Sequence, residues 1–220
     1  MIKAKSNVSS NTVRLWTMQP VDVWEDLQTQ GELLVQSEHP HFSGNSHLFM
    51  RPAYDWMRQQ MALRLPNYQG HYPWWAHNFC LDLRRWRWHT SSSSEWFVRI
   101  ELNIPTQHVL LSSYSAWDCV LSRAYLPAAV EWEDYERAID QWWAELEQAG
   151  IEVQIGIKTP CVPYPEPWES RMKTSWERIF DVEARQSSDI IQATFEKLQL
   201  ADVVKVTKFR SERGRIASKF

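Results

Sequence analysis

The stretch VRLWTMQPVDVWEDLQTQG, residues 13–31, carries the signals of a strand, a helix and a helix stop in direct succession. Two sets of residues alternate along its first part, as on the two faces of a strand: Val13, Leu15 and Thr17 against Arg14, Trp16 and Met18. Pro20 suits a first helical turn, and Gly31 stands where a left-handed cap ends a helix. The stretch therefore predicts a strand that leads directly into a short amphipathic helix.

The rest of the chain supplies further strands and helices without strict alternation. Helical spacing predicts helices over 51–65, before Pro66, and over 131–149, before Gly150, with a short one over 173–180. Period-2 patterns predict strands over 96–102, 151–157, 191–196 and 203–209. We therefore expect an α+β fold, with a central antiparallel or mixed sheet and flanking helices.

Fourteen of the 220 residues are tryptophan, an unusually high content. Trp24, Trp96 and Trp142 fall on faces that the periodicity predicts to be buried. A second group fits no such stripe and is a candidate stacking surface: Trp56, Trp74, Trp75, Trp86 and Trp88. Most of the tryptophan excess is thus interpreted as core composition.

Composition and length favour one folded domain, because the chain is 44% hydrophobic and 23% charged. We expect residues 1–12 to form a flexible N-terminus, residues 13–209 a single α+β domain, and residues 210–220 a basic C-terminal tail. The prolines near 160–167 predict an extended loop within that domain.

The net charge of −3 gives no strong overall field for polyanions or anionic membranes. Three scattered cysteines without a CxxC pair are typical of reduced thiols. No signal peptide or long apolar run is visible in the sequence. These features predict a cytoplasmic protein without a membrane partner.

Several familiar sites have no support in the sequence. The glycines form neither a P-loop nor GxGxxG, and GxSxG is absent. His71, His77 and Cys80 have ligand atoms but lack the partners of a structural zinc site, so we interpret the histidines as surface or hydrogen-bonded groups and predict no metal. Acids near 22–26 and 131–134 are typical of helix N-termini.

Two other patterns suggest ligand binding. Gln192, Thr194 and Glu196 project from one face of a predicted strand, which faces either solvent or a cleft. Between 84 and 88, arginines alternate with tryptophans, a pattern that either binds single-stranded nucleic acid or divides into a core and a solvated face.

Motifs spread over nearly the whole chain resemble an uncharacterised bacterial family of unknown function. They are RLWTMQPVDVWEDLQTQGEL at 14–33, YDWMRQQM at 54–61, YPWWAH at 72–77, RIELNIP at 99–105, SWERIFD at 175–181 and QATFEKL at 192–198. This resemblance brings no activity with it.

The opening strand, short helix and glycine are also similar to the start of DarT-type ADP-ribosyltransferases, which use NAD to modify nucleic-acid bases. The resemblance implies that Thr17 and Gln19 hold the nicotinamide end of NAD. It places the catalytic carboxylate of a late strand at Gln192, with Glu196 further along that strand. Tyr54 or Trp56 would stack on nicotinamide, and Arg51 or Arg64 would contact the NAD phosphates or align the acceptor.

The chain departs from that pattern at two positions. Thr17 replaces a histidine or arginine, and Gln192 replaces the glutamate and cannot carry a negative charge. Either Glu196 takes over, the correspondence is shifted, or the domain is not an enzyme. The resemblance thus implies an ADP-ribosyltransferase-like protein with NAD as co-substrate and a nucleic acid or protein as acceptor. A toxin or phage-defence role would add an antitoxin or regulatory protein as partner.

Two non-catalytic hypotheses remain beside the enzyme. A binding module would use clustered tryptophans and arginines to recognise single-stranded nucleic acid or a modified base. A protein-interaction domain would use exposed tryptophans as anchors.

Overall fold

The computed structural model describes residues 11–35, 45–83, 96–128, 131–152, 163–183 and 190–210, with the backbone alone for 45–49. Several predicted features therefore lie outside the described residues: most of the N-terminus, the Arg84–Trp88 segment, the strand after Glu152 and the tail beyond Arg210. None of the described helices is both long and apolar enough to cross a membrane.

The described part of the chain contains eight strands, five α-helices and three short 3₁₀ turns. In chain order the strands and helices are β1 (Thr12–Pro20), α1 (Val21–Gln30), β2 (Glu32–Leu34), α2 (Asn45–Arg64), β3 (Trp74–His77), β4 (Trp96–Pro105), β5 (Leu110–Ser113), α3 (Tyr114–Leu121), α4 (Trp132–Gln148), α5 (Trp168–Trp176), β6 (Ile191–Phe195), β7 (Lys197–Gln199) and β8 (Val203–Arg210). The 3₁₀ turns span Thr106–His108, Glu177–Phe180 and Leu200–Asp202.

Six strands form an antiparallel sheet in the order β5-β6-β3-β1-β4-β8, and β2 pairs with β7 in a separate ribbon. The predicted α+β class with a central antiparallel sheet is confirmed. Pairing between β1 and β4 is long, running from Thr12 opposite Pro105 to Pro20 opposite Phe97. The pairing between β1 and β3, by contrast, consists of one residue pair, Trp16 opposite His77.

The opening strand–helix unit forms as its sequence predicts. Leu15 and Thr17 are buried, and β1 ends at Pro20, where the helix begins. Gly31 adopts a φ of 77° and donates its N–H to the Leu27 carbonyl oxygen, which ends α1. Glycine suits this position because a side chain disfavours a positive φ.

Two clusters of buried side chains pack the molecule. One joins the sheet to α1 and the β2–β7 ribbon and includes Leu15, Leu27, Ala76, Ile100, Phe195 and Leu198. The other joins α2, α3, α4 and α5 and includes Met57, Met61, Trp117, Trp142, Leu146 and Met172. Tyr54 packs against both clusters, so α2 links the sheet to the helical layer.

Three burial predictions are wrong in part. Trp96 is 49% exposed because it is the first residue of β4. Its ring lies against the Lys208 side chain of β8 and does not reach the core. Trp24 is only partly buried, whereas Trp142 is buried as predicted. Trp56 is 5% exposed and packs between Trp176 and Phe180 in the helical layer, so it belongs to the core and not to an open stacking surface.

Candidate functional site

A large cavity lies at the seam between β1 and β3. Beyond the Trp16–His77 pair these strands separate, and a cavity of about 690 Å³ opens between them. Within the seam the Thr17 hydroxyl donates to the Trp75 carbonyl oxygen at 2.8 Å, so a side chain bridges the two strands. Gln19 Nε2 in turn donates to Thr17 Oγ1 at 2.8 Å.

Four residues that the resemblance assigns to NAD or to catalysis line this one cavity: Thr17, Gln19, Tyr54 and Gln192. They come from β1, from the middle of α2 and from β6, which lie far apart in the sequence. The tertiary fold thus brings together the two residues that the resemblance assigns to nicotinamide, one candidate stacking ring and the residue at the expected carboxylate position.

The other four assigned residues lie elsewhere. Trp56 is enclosed in the helical core, as described above. Arg64 donates to Gln60, lies over the Phe180 ring and approaches Glu177 at 3.8 Å. Arg51 Nε lies 3.8 Å from Asp55 on the same helix. Glu196 lines a second cavity of about 330 Å³.

Glu196 is held by the turn that precedes β3. Its carboxylate accepts backbone N–H bonds from Gln69 at 2.9 and 3.0 Å and from His71 at 3.1 Å. His71 Nδ1 also lies 3.0 Å from Glu196 Oε1. The side chain is therefore saturated with partners on its own side of the sheet and does not reach the Gln192 cavity.

β6, which carries Gln192 and ends just before Glu196, is buried on both faces, so its polar side chains do not face solvent. Gln192 is 4% exposed, and Thr194 is fully buried beside Met57. β6 is an inner strand, between β5 and β3, and helices cover one of its faces, so its polar residues meet protein or the cavity.

A row of side chains with unpaired polar atoms crosses the sheet beside the cavity. Trp16, His77, Gln192 and Ser112 are directly opposite one another on β1, β3, β6 and β5. Directly opposed residues project from the same face of an antiparallel sheet. Each has a buried nitrogen or oxygen with no hydrogen-bond partner among the described residues: Trp16 Nε1, His77 Nδ1, Gln192 Nε2 and Ser112 Oγ.

Such atoms are rare in folded proteins, because an unpaired buried polar group costs about 1–3 kcal/mol. Trp75 Nε1 on the cavity wall is a further one, so three residues that line the cavity carry unpaired polar atoms: Trp75, His77 and Gln192. These atoms are themselves closed to solvent, so the side chains would have to turn before a ligand in the cavity could satisfy them.

The walls of the cavity are aromatic. Tyr54, Trp75 and Trp117 contact one another, with ring centroids 5.8 Å apart for Tyr54–Trp75, 5.9 Å for Tyr54–Trp117 and 4.8 Å for Trp75–Trp117. Burial raises the pKa of Tyr54, which keeps its hydroxyl protonated. On the other side the Tyr114 ring lies 5.9 Å from the His77 ring.

The electrostatics of the cavity are one-sided. Its described lining contains two carboxylates, Asp22 and Asp118, and neither a lysine nor an arginine. Burial lowers the pKa of His77, so its imidazole is neutral at pH 7. Both carboxylates belong to exposed residues, so their charge acts in a solvated part of the cavity and favours a cationic over an anionic ligand there only weakly.

His77, Trp117 and Asp118 were not singled out for this site by sequence reasoning. In the sequence, His77 is a candidate only as a metal ligand beside His71 and Cys80. In the structure, His71 contacts Glu196, whereas His77 lines the cavity. The described residues contain no group of three side chains able to hold a metal ion. The preceding YPWWAH motif is the one sequence signal that points to this strand.

The sequence profile of DUF3841, a domain of unknown function, matches residues 14–204. The chain belongs to the DUF3841 family. This match spans the sheet from β1 to the start of β8 and includes every residue of the cavity. No curated protein and no solved structure matches the chain.

Proposed function

We propose that this DUF3841 protein is an ADP-ribosyltransferase-like enzyme that binds the nicotinamide end of NAD in the cavity between β1 and β3. The observation that carries the proposal is the convergence of Thr17, Gln19, Tyr54 and Gln192 on that cavity. The DarT-type layout assigns these four residues to NAD or to catalysis from their places in the sequence alone. A ligand cavity of about 300–1,000 Å³ is typical of small-molecule sites, and this one has about 690 Å³.

The reaction would break the bond between nicotinamide and ribose C1′. Nicotinamide leaves with the bonding electron pair, the ribose becomes positively charged, and the acceptor forms the new bond to C1′ and releases its proton. A carboxylate near the ribose stabilises that positive charge. Asp22 and Asp118 line the cavity and are the carboxylates available for this role.

The proposal reassigns two of the expected roles. Glu196 cannot serve at the ribose while its carboxylate accepts the Gln69 and His71 amides. Arg64 is likewise engaged with Gln60 and Phe180. Gln192 then acts as a neutral hydrogen-bonding group toward the ligand instead of as the catalytic carboxylate.

The acceptor we propose is nucleic acid, with protein as the alternative. Trp96 and Lys208 form an exposed cation–π pair, with the ammonium 5.0 Å from the ring centroid. Arg210 lies opposite Trp96 on β8. An exposed aromatic ring between cations is suited to stack a base and neutralise phosphates. A cytoplasmic toxin or phage-defence role with a regulatory partner fits such an enzyme and stays a proposal.

The test is nicotinamide release from NAD by the purified protein in the presence of single-stranded DNA, RNA or protein acceptors. We expect release by the wild type and a fall of at least about tenfold in Gln192→Leu, because the change removes a ligand hydrogen bond worth about 1.5 kcal/mol. Gln60→Leu is the matched control, because Gln60 is also buried but lies outside the cavity. Equal rates in wild type and Gln192→Leu would refute the proposal.

A second candidate is a non-catalytic module that binds a modified base. It is favoured by the neutral amide of Gln192 at the position where the layout expects a carboxylate. An aromatic pocket with an amide at its base recognises a nucleobase by stacking and by hydrogen bonds to its edge. Tight, salt-dependent binding of single-stranded oligonucleotides without nicotinamide release would favour this function over the enzyme.

A further inference from the structure

α4 has two tryptophans that the core does not use. Trp142 and Leu146, on its inner side, are buried in the helical cluster. Trp132 and Trp143, in contrast, are 68% and 43% exposed. Single exposed apolar side chains are common, but a group of large rings on one surface is typical of a contact with another molecule. Two exposed tryptophans on one helix are such a group if they share a side of it.

Trp132 and Trp143 do share a side of α4. They are eleven residues apart, close to three full turns, so they differ by only about 20° around the helix axis. Glu136 and the half-buried Ile139 lie between them, and the spacing of the four residues is four, three and four. This is the spacing of the contact positions in a coiled coil. We call these four residues the α4 stripe.

A row of acids runs along one flank of the α4 stripe. Glu133, Asp140 and Glu147 follow one another at intervals of seven residues, and all three are exposed. None of them forms an ion pair with another residue that the structure describes. In coiled coils the residues that flank the contact positions pair with opposite charges on the facing helix. The row therefore complements a helix that carries lysine or arginine.

The stability of α4 by itself does not account for this row. Acids favour the first turn of a helix, but of the three only Glu133 lies there. Asp140 lies in the middle of α4, and Glu147 lies in its last turn, where the helix dipole disfavours a negative charge. The heptad interval of the row thus matches a facing helix better than it matches the needs of α4.

The charge of this surface disfavours two other occupants. α4 carries six acids and one arginine, a net charge of −5, whereas the whole chain has a net charge of −3. A second copy of the chain would bring a second acidic row against the first, and nucleic acid would bring phosphates of the same sign. Asp134 pairs with Arg137 and Glu145 with Arg171, but neither acid belongs to the row. The surface is therefore suited to a different, basic protein.

We infer that the α4 stripe docks an amphipathic helix of a partner protein, with apolar residues at heptad spacing and lysines or arginines beside them. Trp132 and Trp143 serve as the anchors, a frequent role of tryptophan at interfaces. The Trp132 ring is already stacked on Tyr135, with centroids 5.7 Å apart, which reduces the entropy lost on docking. α4 contributes no residue to the cavity between β1 and β3, so the inference does not rest on the proposed function.

The test is fluorescence anisotropy of the full chain with a labelled synthetic helix of three heptads. This probe has leucine at the contact positions and lysine at the flanking positions, and the lysines keep it from pairing with itself. One reference peptide has the same composition in scrambled order, and another has glutamate in place of lysine. We expect the probe to bind at least about tenfold more tightly than either reference. Equal affinity for the probe and the scrambled peptide would overturn the inference.

Removal of both anchors tests the position of the site. Trp132→Ala together with Trp143→Ala should weaken binding of the lysine probe by about tenfold or more. The variant should unfold at nearly the wild-type temperature, because neither ring belongs to the buried core. Leu63→Ala on α2 is the control and should leave the affinity unchanged, since Leu63 is also exposed, at 75%. Wild-type affinity in the double tryptophan variant would contradict docking at this face.

Charge reversal gives a readout that apolar contact alone would not move. Asp140→Lys together with Glu147→Lys should weaken the lysine probe about tenfold and tighten binding of the glutamate peptide. Glu25→Lys together with Asp26→Lys on α1 changes the net charge equally and should alter neither affinity by more than about twofold. Equal effects of the two charge variants would reveal a long-range attraction without a docking site and would overturn the inference.

Sedimentation velocity distinguishes a partner from a second copy of the chain. We expect the wild type and the double tryptophan variant to sediment alike, because two acidic rows repel each other. A wild-type dimer that the tryptophan substitutions abolish would assign the α4 stripe to self-association and would overturn the inference of a basic partner.

Discussion

Two buried polar residues at opposite ends of β6 differ in whether the protein satisfies their hydrogen-bonding groups. Gln192, at one end, has an amide nitrogen with no partner among the described residues and lines the larger cavity. Glu196, directly after the other end, accepts hydrogen bonds from two backbone amides and contacts a histidine ring. One residue is left unsatisfied by its own chain, whereas the other is fully engaged by it.

The geometry of the 69–71 turn explains why the Glu196 carboxylate is fully hydrogen-bonded. Gly70 has a φ of 96°, a conformation that disfavours any side chain. It turns the chain so that the amides on either side, of Gln69 and His71, converge on the Glu196 carboxylate. Such a concave arrangement of amides binds an anion, and here the anion belongs to the protein. Glu196 therefore stabilises the turn, whereas Gln192 serves the ligand only under the function proposed above.

The largest effect on stability is expected from substitution of Glu196. Glu196→Gln should lower the free energy of unfolding by about 2–3 kcal/mol, because a neutral amide replaces charge-assisted bonds and turns a donor toward backbone N–H groups. Urea denaturation measures the loss. Glu147→Gln on the exposed end of α4 is the control, with a change below about 0.5 kcal/mol. A similarly small change at Glu196 would mean that the turn does not depend on the carboxylate.

An intermediate effect on stability is expected when the pH falls, because His77 lies near the Gln192 end of β6. Burial holds the pKa of His77 below its ordinary value of 6.5. As pH falls below 6.5, the unfolded chain takes up a proton at this histidine while the folded chain resists it, so the free energy of unfolding decreases. Chemical denaturation of wild type and His77→Gln between pH 7.5 and 5 should give a flatter profile for the variant. Parallel profiles would place His77 in a more polar setting than the cavity provides.

The smallest expected effect on stability is at Gln192. Gln192→Leu should change the free energy of unfolding by less than about 0.5 kcal/mol or raise it slightly, because an apolar group replaces an amide that lacks a partner. The same variant should lose ligand, as proposed above, so stability and binding separate at this residue. A loss of about 2 kcal/mol or more in thermal or urea unfolding would show that Gln192 holds the sheet together.

Local patterns were enough to predict much of the fold. The β1–α1 unit, the end of α1 at Gly31 and the long helix before Gly150 depend on neighbours in sequence, where periodicity and capping operate. Trp96 shows the limit, since its alternation with Val98 is correct but its place at the end of the β4–β8 ladder leaves it against Lys208 and solvent. Where a ladder ends depends on which strands pair, and no local pattern contains that information.

Residues of the candidate site could be proposed from the sequence only where a resemblance supplied long-range information. Thr17, Tyr54 and Gln192 came from a family layout and meet at one cavity. Glu196 seemed equivalent to Gln192 because both obey the period of a strand, but the strand ends between them and the turn at Gly70 captures the second. His77 enters the site through its register with Trp16 and Gln192, and register across three strands cannot be deduced from any one of them.

Because β1 and β3 share a single residue pair, the sheet consists of two blocks of continuously paired strands. On one side β5, β6 and β3 share continuous ladders, and on the other β1, β4 and β8 do the same. Widening the seam would move these two blocks apart about the Trp16–His77 contact and stretch the Thr17–Trp75 bond, while the ladders within each block stay intact. Cohesion across this seam therefore depends less on the backbone ladder than on the Thr17–Trp75 bond and on the buried side chains that both blocks share.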